Sequence, residues 1–126
     1  MFMKNCYCNK NKLFSECCEP YILGAKKAPT AEALMRSRYA AYCISDVSYI
    51  LETTHISTRK FHKKKEILAF ASQNEWVKLE IVNVTETIVT FNAFYLDSRQ
   101  KYAMHCEKST FKKEGDTWFY VDGEWD

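Results

Sequence analysis

The densest chemistry in this chain stands at its start. Cys6-x-Cys8 is followed by eight residues and then by Cys17-Cys18. Four thiols so close in sequence can wrap one tetrahedral cation, and zinc, at Zn–S distances of about 2.3 Å, suits an all-sulfur shell. Lys4, Lys10 and Lys12 stand among the cysteines and would offset part of the charge that four thiolates leave on a divalent ion. The stretch is otherwise hydrophilic, so it offers these cysteines little apolar core to enter. C-x-C also departs from the C-x-x-C spacing of dithiol redox sites. Adjacent ligands demand a particular backbone, which leaves one of Cys17 and Cys18 a candidate bystander.

A second candidate site comes from a charge on an apolar helix face. On a helical wheel Ala31, Leu34, Met35, Ala41 and Tyr42 share one arc, and Arg38 falls near its centre. A guanidinium there needs a partner or water. Strand alternation offers Glu107, on the face that also carries His105, Ser109 and Phe111. The pair reads in two ways: a buried ion pair that fixes the helix on a sheet, or part of a pocket for a polar or anionic ligand. Tyr39, Tyr42, Trp118 and Tyr120 would wall either one, and His55, with Ser57 and Arg59, is expected at the rim. Arg36, four residues after Glu32, reads as a solvated i,i+4 pair. Cys43 and Cys106 have no base nearby in sequence. No G-x-S-x-G, phosphate loop or H-E-x-x-H occurs, so no catalytic residue is assigned.

These residues need elements to hold them. Residues 21–28 read as a connector with Gly24 free to take positive φ. Thr30 is a good N-cap for a helix running to about Ile44, and Ser45-Asp46 opens a short second helix over 47–54. A third helix fits 63–73. From Trp76 the period changes from helical to alternating, giving strands over 76–85, 88–96, 102–112 and 117–122. Val77, Leu79 and Ile81 make the apolar face of the first strand, and Val89, Phe91 and Ala93 that of the second. The links between strands are short, as in an antiparallel meander. The expectation is an α+β protein: a zinc knuckle over residues 1–20, then three helices on a curved antiparallel sheet of about four strands over 21–126. On that division, metal loss melts the first 20 residues alone.

Composition narrows the function classes. With 47% hydrophobic residues, only 3 Gly and 2 Pro in 126 residues, the chain can build a core and has few breakers for long loops. The net charge of +2 is too small to indicate nucleic acid by itself, although 59–65 (Arg-Lys-Phe-His-Lys-Lys-Lys) is a basic run. Met1-Phe2-Met3-Lys4 leads straight into cysteines with no apolar signal core, and no run approaches a membrane span. A cytoplasmic location with no membrane partner is therefore expected, and there clustered cysteines read as metal ligands.

The cysteine spacing, with Phe14 three residues before the pair, resembles the SEC-C zinc motif, best known from the C-terminal tail of the SecA preprotein translocase. Ala28-Pro29-Thr30-Ala31-Glu32-Ala33-Leu34-Met35-Arg36-Ser37-Arg38-Tyr39, His55-Ile56-Ser57-Thr58-Arg59, Glu107–Phe111 and Trp118–Gly123 closely resemble the YchJ family. The resemblance implies zinc on Cys6, Cys8, Cys17 and Cys18, followed by a nuclear-transport-factor-2-like cone that often encloses a pocket. It implies no activity, since the family's function is not established. Two features depart from the family pattern: Tyr7 replaces a usual Pro, and Asn9-Lys10-Asn11 replaces Gly-Ser-Gly. Asn tolerates left-handed backbone, so the knuckle survives the second change. Relatives often carry a second, C-terminal cysteine knuckle, which 107–126 does not contain.

Three functions are compatible with this reading. The first is a protein-interaction module whose partner, by analogy with SEC-C proteins, belongs to translocation or the ribosome. The second is a small-molecule binder or enzyme using the cone pocket. The third, weaker at this charge, is nucleic-acid binding. The state of the cone discriminates the first two: a filled cone favours interaction, and an open cavity with converging polar groups favours a ligand.

Overall fold

The computed structural model describes residues 4–125; Met1-Phe2-Met3, on which the reading of an absent leader partly rests, lie outside them. The first cysteines sit on a small hairpin closed by the Asn5–Leu13 bridge and by Cys6 N–H donating to the Lys12 carbonyl at 2.8 Å. A 3₁₀ turn (Phe14–Glu16) and a single helical turn, α1 (Glu19–Ile22), follow. Then come α2 (Ala31–Cys43), α3 (Val47–Glu52), α4 (Ile56–Arg59) and α5 (Lys64–Gln73). The caps that start α2 and α3 form as their chemistry dictates: Thr30 accepts from Ala33 N–H at 3.0 Å and Asp46 from Tyr49 N–H at 3.1 Å. Beyond the three expected helices, α1 and α4 are one-turn pieces too short to show a sequence period.

Strands β1 (Glu75–Val84), β2 (Ile88–Leu96), β3 (Tyr102–Glu114) and β4 (Thr117–Trp125) form one antiparallel sheet in chain order. Strict alternation fails at three places. The register slips at Val77, at Val82 and at Val121, each being one residue too many for its partner strand. Such bulges bend a strand and raise its twist, which curves the sheet around the helices. They also correct the expected face of β1. Val77, placed inward with Leu79 and Ile81, is 46% exposed, and Trp76, paired with Tyr95, turns inward in its stead.

α2 lies against the concave face, but it is not a half-buried surface helix. Ala31, Leu34, Met35, Ser37, Arg38, Tyr39, Ala40 and Ala41 are all buried. The side that sequence leaves to solvent is covered by the knuckle: Cys6, Cys8 and Cys18 belong to the same core cluster as Leu34, Tyr39 and Phe91. The chain boundary near residue 20 therefore does not coincide with a break in packing. A second cluster, with Ala41, Val47, Tyr49, Ile50 and Ile67, holds α3 and α5 to the far end of α2.

One backbone position is fixed by sterics. Gly123 faces Ser109 across the β3–β4 ladder, and the Glu107 side chain lies over it; a Cβ there would stand 2.6 Å from Glu107 Cδ. Gly123→Ala should therefore destabilise by about 1–3 kcal/mol, the range for overpacking a closed site. In a Glu107→Ser background, where the obstructing carboxyl is gone, Gly123→Ala should cost little further stability in urea denaturation. An additive double variant would show that the contact is not the cause.

Candidate functional site

Two sites emerge, one on each side of α2. At the first, the hairpin supplies Cys6 and Cys8, and the turn leading into α1 supplies Cys17 and Cys18. Their four sulfurs all lie within 4.8 Å of one another. Cys8 and Cys17 Sγ are 3.6 Å apart, and those of Cys17 and Cys18 4.0 Å. Sulfurs about 2.3 Å from a shared centre stand about 3.8 Å apart in a tetrahedron, so the donor set has the spacing of a metal shell. Both adjacent cysteines take part, and neither is a bystander in this arrangement. All six cysteines are free thiols.

Without a cation the cluster is electrostatically unhappy. The Cys8 thiol is pulled far down by hydrogen bonds from Cys18 and Cys6, while the bonds of Cys18 to Cys6 and Cys8, with burial, push Cys18 far up. Burial and the nearby Cys8 charge push Cys17 up to about 12. Four thiols cannot ionise together here unless a cation balances them.

The backbone around the cluster is tied down from outside. Arg36 Nη1 donates to the Cys8 carbonyl at 2.8 Å while its Nε holds Glu32 at 2.9 Å. The expected i,i+4 pair exists, but the expectation that it is solvated is corrected: Arg36 is half-buried beneath the knuckle. Asn9, at φ 65°, accepts from the Leu79 amide at 2.7 Å and fastens the hairpin to β1. Tyr7 packs edge-on against Phe14, with centroids 5.2 Å apart, and Lys4 lies 4.4 Å over its ring.

The second site is a cavity of about 400 Å³ between α2, α5 and the sheet. Arg38, Tyr39, Tyr42, Glu107 and Ser109 all line it. Arg38 and Glu107 do not form the direct ion pair the helical wheel suggests; no contact within 4.0 Å joins them. Arg38 Nη1 instead donates to the Ile50 carbonyl at 2.8 Å and to Thr53 Oγ1 at 2.7 Å, capping the end of α3. Its Cζ lies 4.3 Å over the Tyr120 ring. Tyr120 then donates its hydroxyl to Glu107 at 3.2 Å, so an aromatic ring separates the two charges.

Glu107 is 9% exposed and hydrogen-bonded through both carboxylate oxygens. His105 Nε2 lies 2.8 Å from Oε1, and Ser109 donates to Oε2 at 2.5 Å. Burial alone would raise this carboxyl, but the bonds from His105 and Ser109 outweigh it and hold it below its ordinary value. On the opposite wall His62, edge-on to Tyr120, is pushed down by burial and by the Arg38 cation.

Two expected members lie elsewhere. His55 is not part of the cavity wall. It caps α4, with Nδ1 2.7 Å from Ser57 Oγ, pairs with Glu114 and meets Phe119 edge-on. Being the residue next to Thr54, which bridges to Tyr120 in β4, it is turned along the strand and away from the concave face. Trp118 donates Nε1 to the Pro29 carbonyl at 3.2 Å and is core. Sequence reasoning missed Trp76, Phe70, His62 and Trp125. The bulge at Val77 hides Trp76, and the basic run disguises His62 as a solvated residue. Cys43, pushed up to about 12 by burial, is no nucleophile.

No helix among the described residues is long and apolar enough to cross a membrane. The family model for the YchJ middle, NTF2-like domain matches residues 30–123. A UPF0225 protein of Geobacter sulfurreducens is 40% identical over 94% of this chain and 77% of its own length. A UPF0225 protein YchJ of Shigella dysenteriae is 35% identical over 94% and 81%. The solution structure of a SEC-C motif containing protein from Rhodopseudomonas palustris superposes with a TM-score of 0.88 at 31% identity, covering 96% of this chain and 98% of that one. A crystal structure of another, from Psychrobacter arcticus, gives 0.79 at 28% identity over 97% and 81%.

Because the Glu107 carboxyl is lower in the folded state than its ordinary 4.5, its contribution is present above that value and is lost as pH falls through the native one. The Tm advantage of wild type over Glu107→Gln should therefore shrink between about pH 6 and about pH 3. A difference constant across that range would show that the folded protein does not favour the ionised carboxyl.

Proposed function

This chain belongs to the YchJ family, and from that membership and the two sites we propose that it is a cytoplasmic zinc protein whose metal knuckle braces a cone that binds a small organic molecule. The observation that carries the reading is the cavity. It is open, walled by aromatic rings and furnished with converging polar groups, which is the form of a ligand site rather than of a filled core. The edge-on contacts Phe70–Trp76, at 5.3 Å, and Tyr42–Phe70, at 6.0 Å, are of the kind that keep such a wall rigid around an empty space. Among the described residues the groups lining the cavity are suited to holding a ligand, and binding is the activity proposed.

Zinc would be held by Cys6, Cys8, Cys17 and Cys18. Four protein thiolates fill a tetrahedral shell, as in structural sites, and the ion would supply folding energy and neutralise charge. An interaction role has its own support in Phe61, 70% exposed beside Lys60, Lys63 and Lys64. A protein partner from translocation or the ribosome would dock there.

Native mass spectrometry should find one zinc per chain in the wild type and none in Cys8→Ser. Because the knuckle shares a core with α2, chelation should lower the melting of helix and sheet together, by far more than the melting of residues 4–20 alone would. A metal-free native protein would end the zinc reading. For the cavity, the neutral dye N-phenyl-1-naphthylamine should bind and quench tryptophan fluorescence, and a folded Ala93→Phe variant should refuse it. Dye binding that is absent, or indifferent to Ala93→Phe, would refute the cavity reading.

A further inference from the structure

Arg38 is 7% exposed, yet its hydrogen bonds within the described residues all run through Nη1. Among the described residues its Nε and Nη2 meet no acceptor. No fully enclosed side-chain nitrogen or oxygen among those residues lacks a partner, so these donors reach open space, and the space Arg38 lines is the cavity. Nε and Nη2 form the side edge of the guanidinium, the edge that meets a carboxylate with two parallel bonds. As a helix cap alone, Arg38 needs Nη1 only. A guanidinium this buried with three unspent N–H groups is poised for an acceptor that the protein does not supply.

An anion alone would suit the cavity poorly, because Glu107 is ionised in the same space. Its Oε1 takes a single hydrogen bond, from His105, and has capacity for another donor. Between the two charges lies the Tyr120 ring, with Arg38 stacked above it and its hydroxyl tied to Glu107. The floor joining the two anchors is thus one aromatic ring wide, and Trp76, Phe91 and Trp125 supply flat apolar walls. His62 on the wall is followed and preceded by exposed lysines, Lys60 and Lys63–Lys65, which give the surroundings a positive field that attracts anions.

Resting on the ligand-binding reading above, we infer that the ligand is a small hydroxyaryl carboxylate, with its carboxylate on the Nε–Nη2 edge of Arg38 and its hydroxyl donating to Glu107. The probe is 4-hydroxybenzoate, titrated into the zinc-loaded full chain by calorimetry. Benzoate lacks the hydroxyl, and methyl 4-hydroxybenzoate lacks the charge. The acid should bind at least about ten-fold tighter than the ester and about ten-fold tighter than benzoate. Arg38→Gln should bring acid and ester together, and Glu107→Gln should bring 4-hydroxybenzoate and benzoate together, each variant being verified as folded by circular dichroism. An ester bound as tightly as the acid by the wild type overturns the inference with no variant needed, and so does an acid preference that survives Arg38→Gln. In both cases dye binding would leave the cavity reading standing; refusal of dye and acids alike would remove both.

Discussion

Burial of a helix on every side obliges its sequence to satisfy several different environments at once. α2 meets the sheet through Leu34 and Met35, the knuckle through its Arg36 side, and α3 through Ser37, whose hydroxyl donates to the Leu34 carbonyl at 2.7 Å and lies 2.6 Å from the Tyr49 hydroxyl. Large side chains all round would push these neighbours apart. The small residues Ala31, Ser37, Ala40 and Ala41 allow close approach on several faces, and the two arginines carry polar contacts outward to them. Arg36 reaches the backbone of the cysteine cluster and Arg38 the end of α3. The cysteine cluster and the cavity thus share one rigid support, on opposite sides of one helix.

That support explains why a space can persist in the cone. A cavity normally collapses or fills unless its walls are held by something other than each other. Here the helical wall is pinned from behind by the knuckle and the sheet wall is curved by bulges. The polar groups inside are arranged so that the charges do not cancel each other. The Tyr120 ring keeps Arg38 and Glu107 apart, and each is stabilised by its own neutral hydrogen-bonding partners. A direct ion pair would have closed the site.

Much of this was legible in the residues. The cysteine spacing, the caps at Thr30 and Asp46, and the change from helical to alternating period announce the knuckle, the helices and the meander. Arg38 on an apolar arc announces something polar inside. What sequence could not convey are events between elements. A bulge adds one residue and reverses alternation beyond it, so Val77 and Trp76 exchange roles with no local sign. A helical wheel counts neighbours within one helix, so the knuckle covering Arg36 was invisible. His55 follows α3 closely enough to suggest the pocket rim, but the Thr54–Tyr120 bridge decides its direction.

The Asn9 side chain bonded to the Leu79 amide has a further consequence, which concerns solubility. β1 is an outer strand, with unpaired backbone groups and the exposed valines Val77, Val82 and Val84 along it. Such a strand is a template for pairing with another chain, and proteins commonly blunt it with charge, bulges or a covering loop. This one carries two bulges, Lys78 and Glu80, and the cysteine hairpin seated over its middle. The cysteine hairpin thereby acts as a guard on a sheet edge. Were that hairpin to come away, the first surface bared would be this strand, open to pairing with a second copy of the chain.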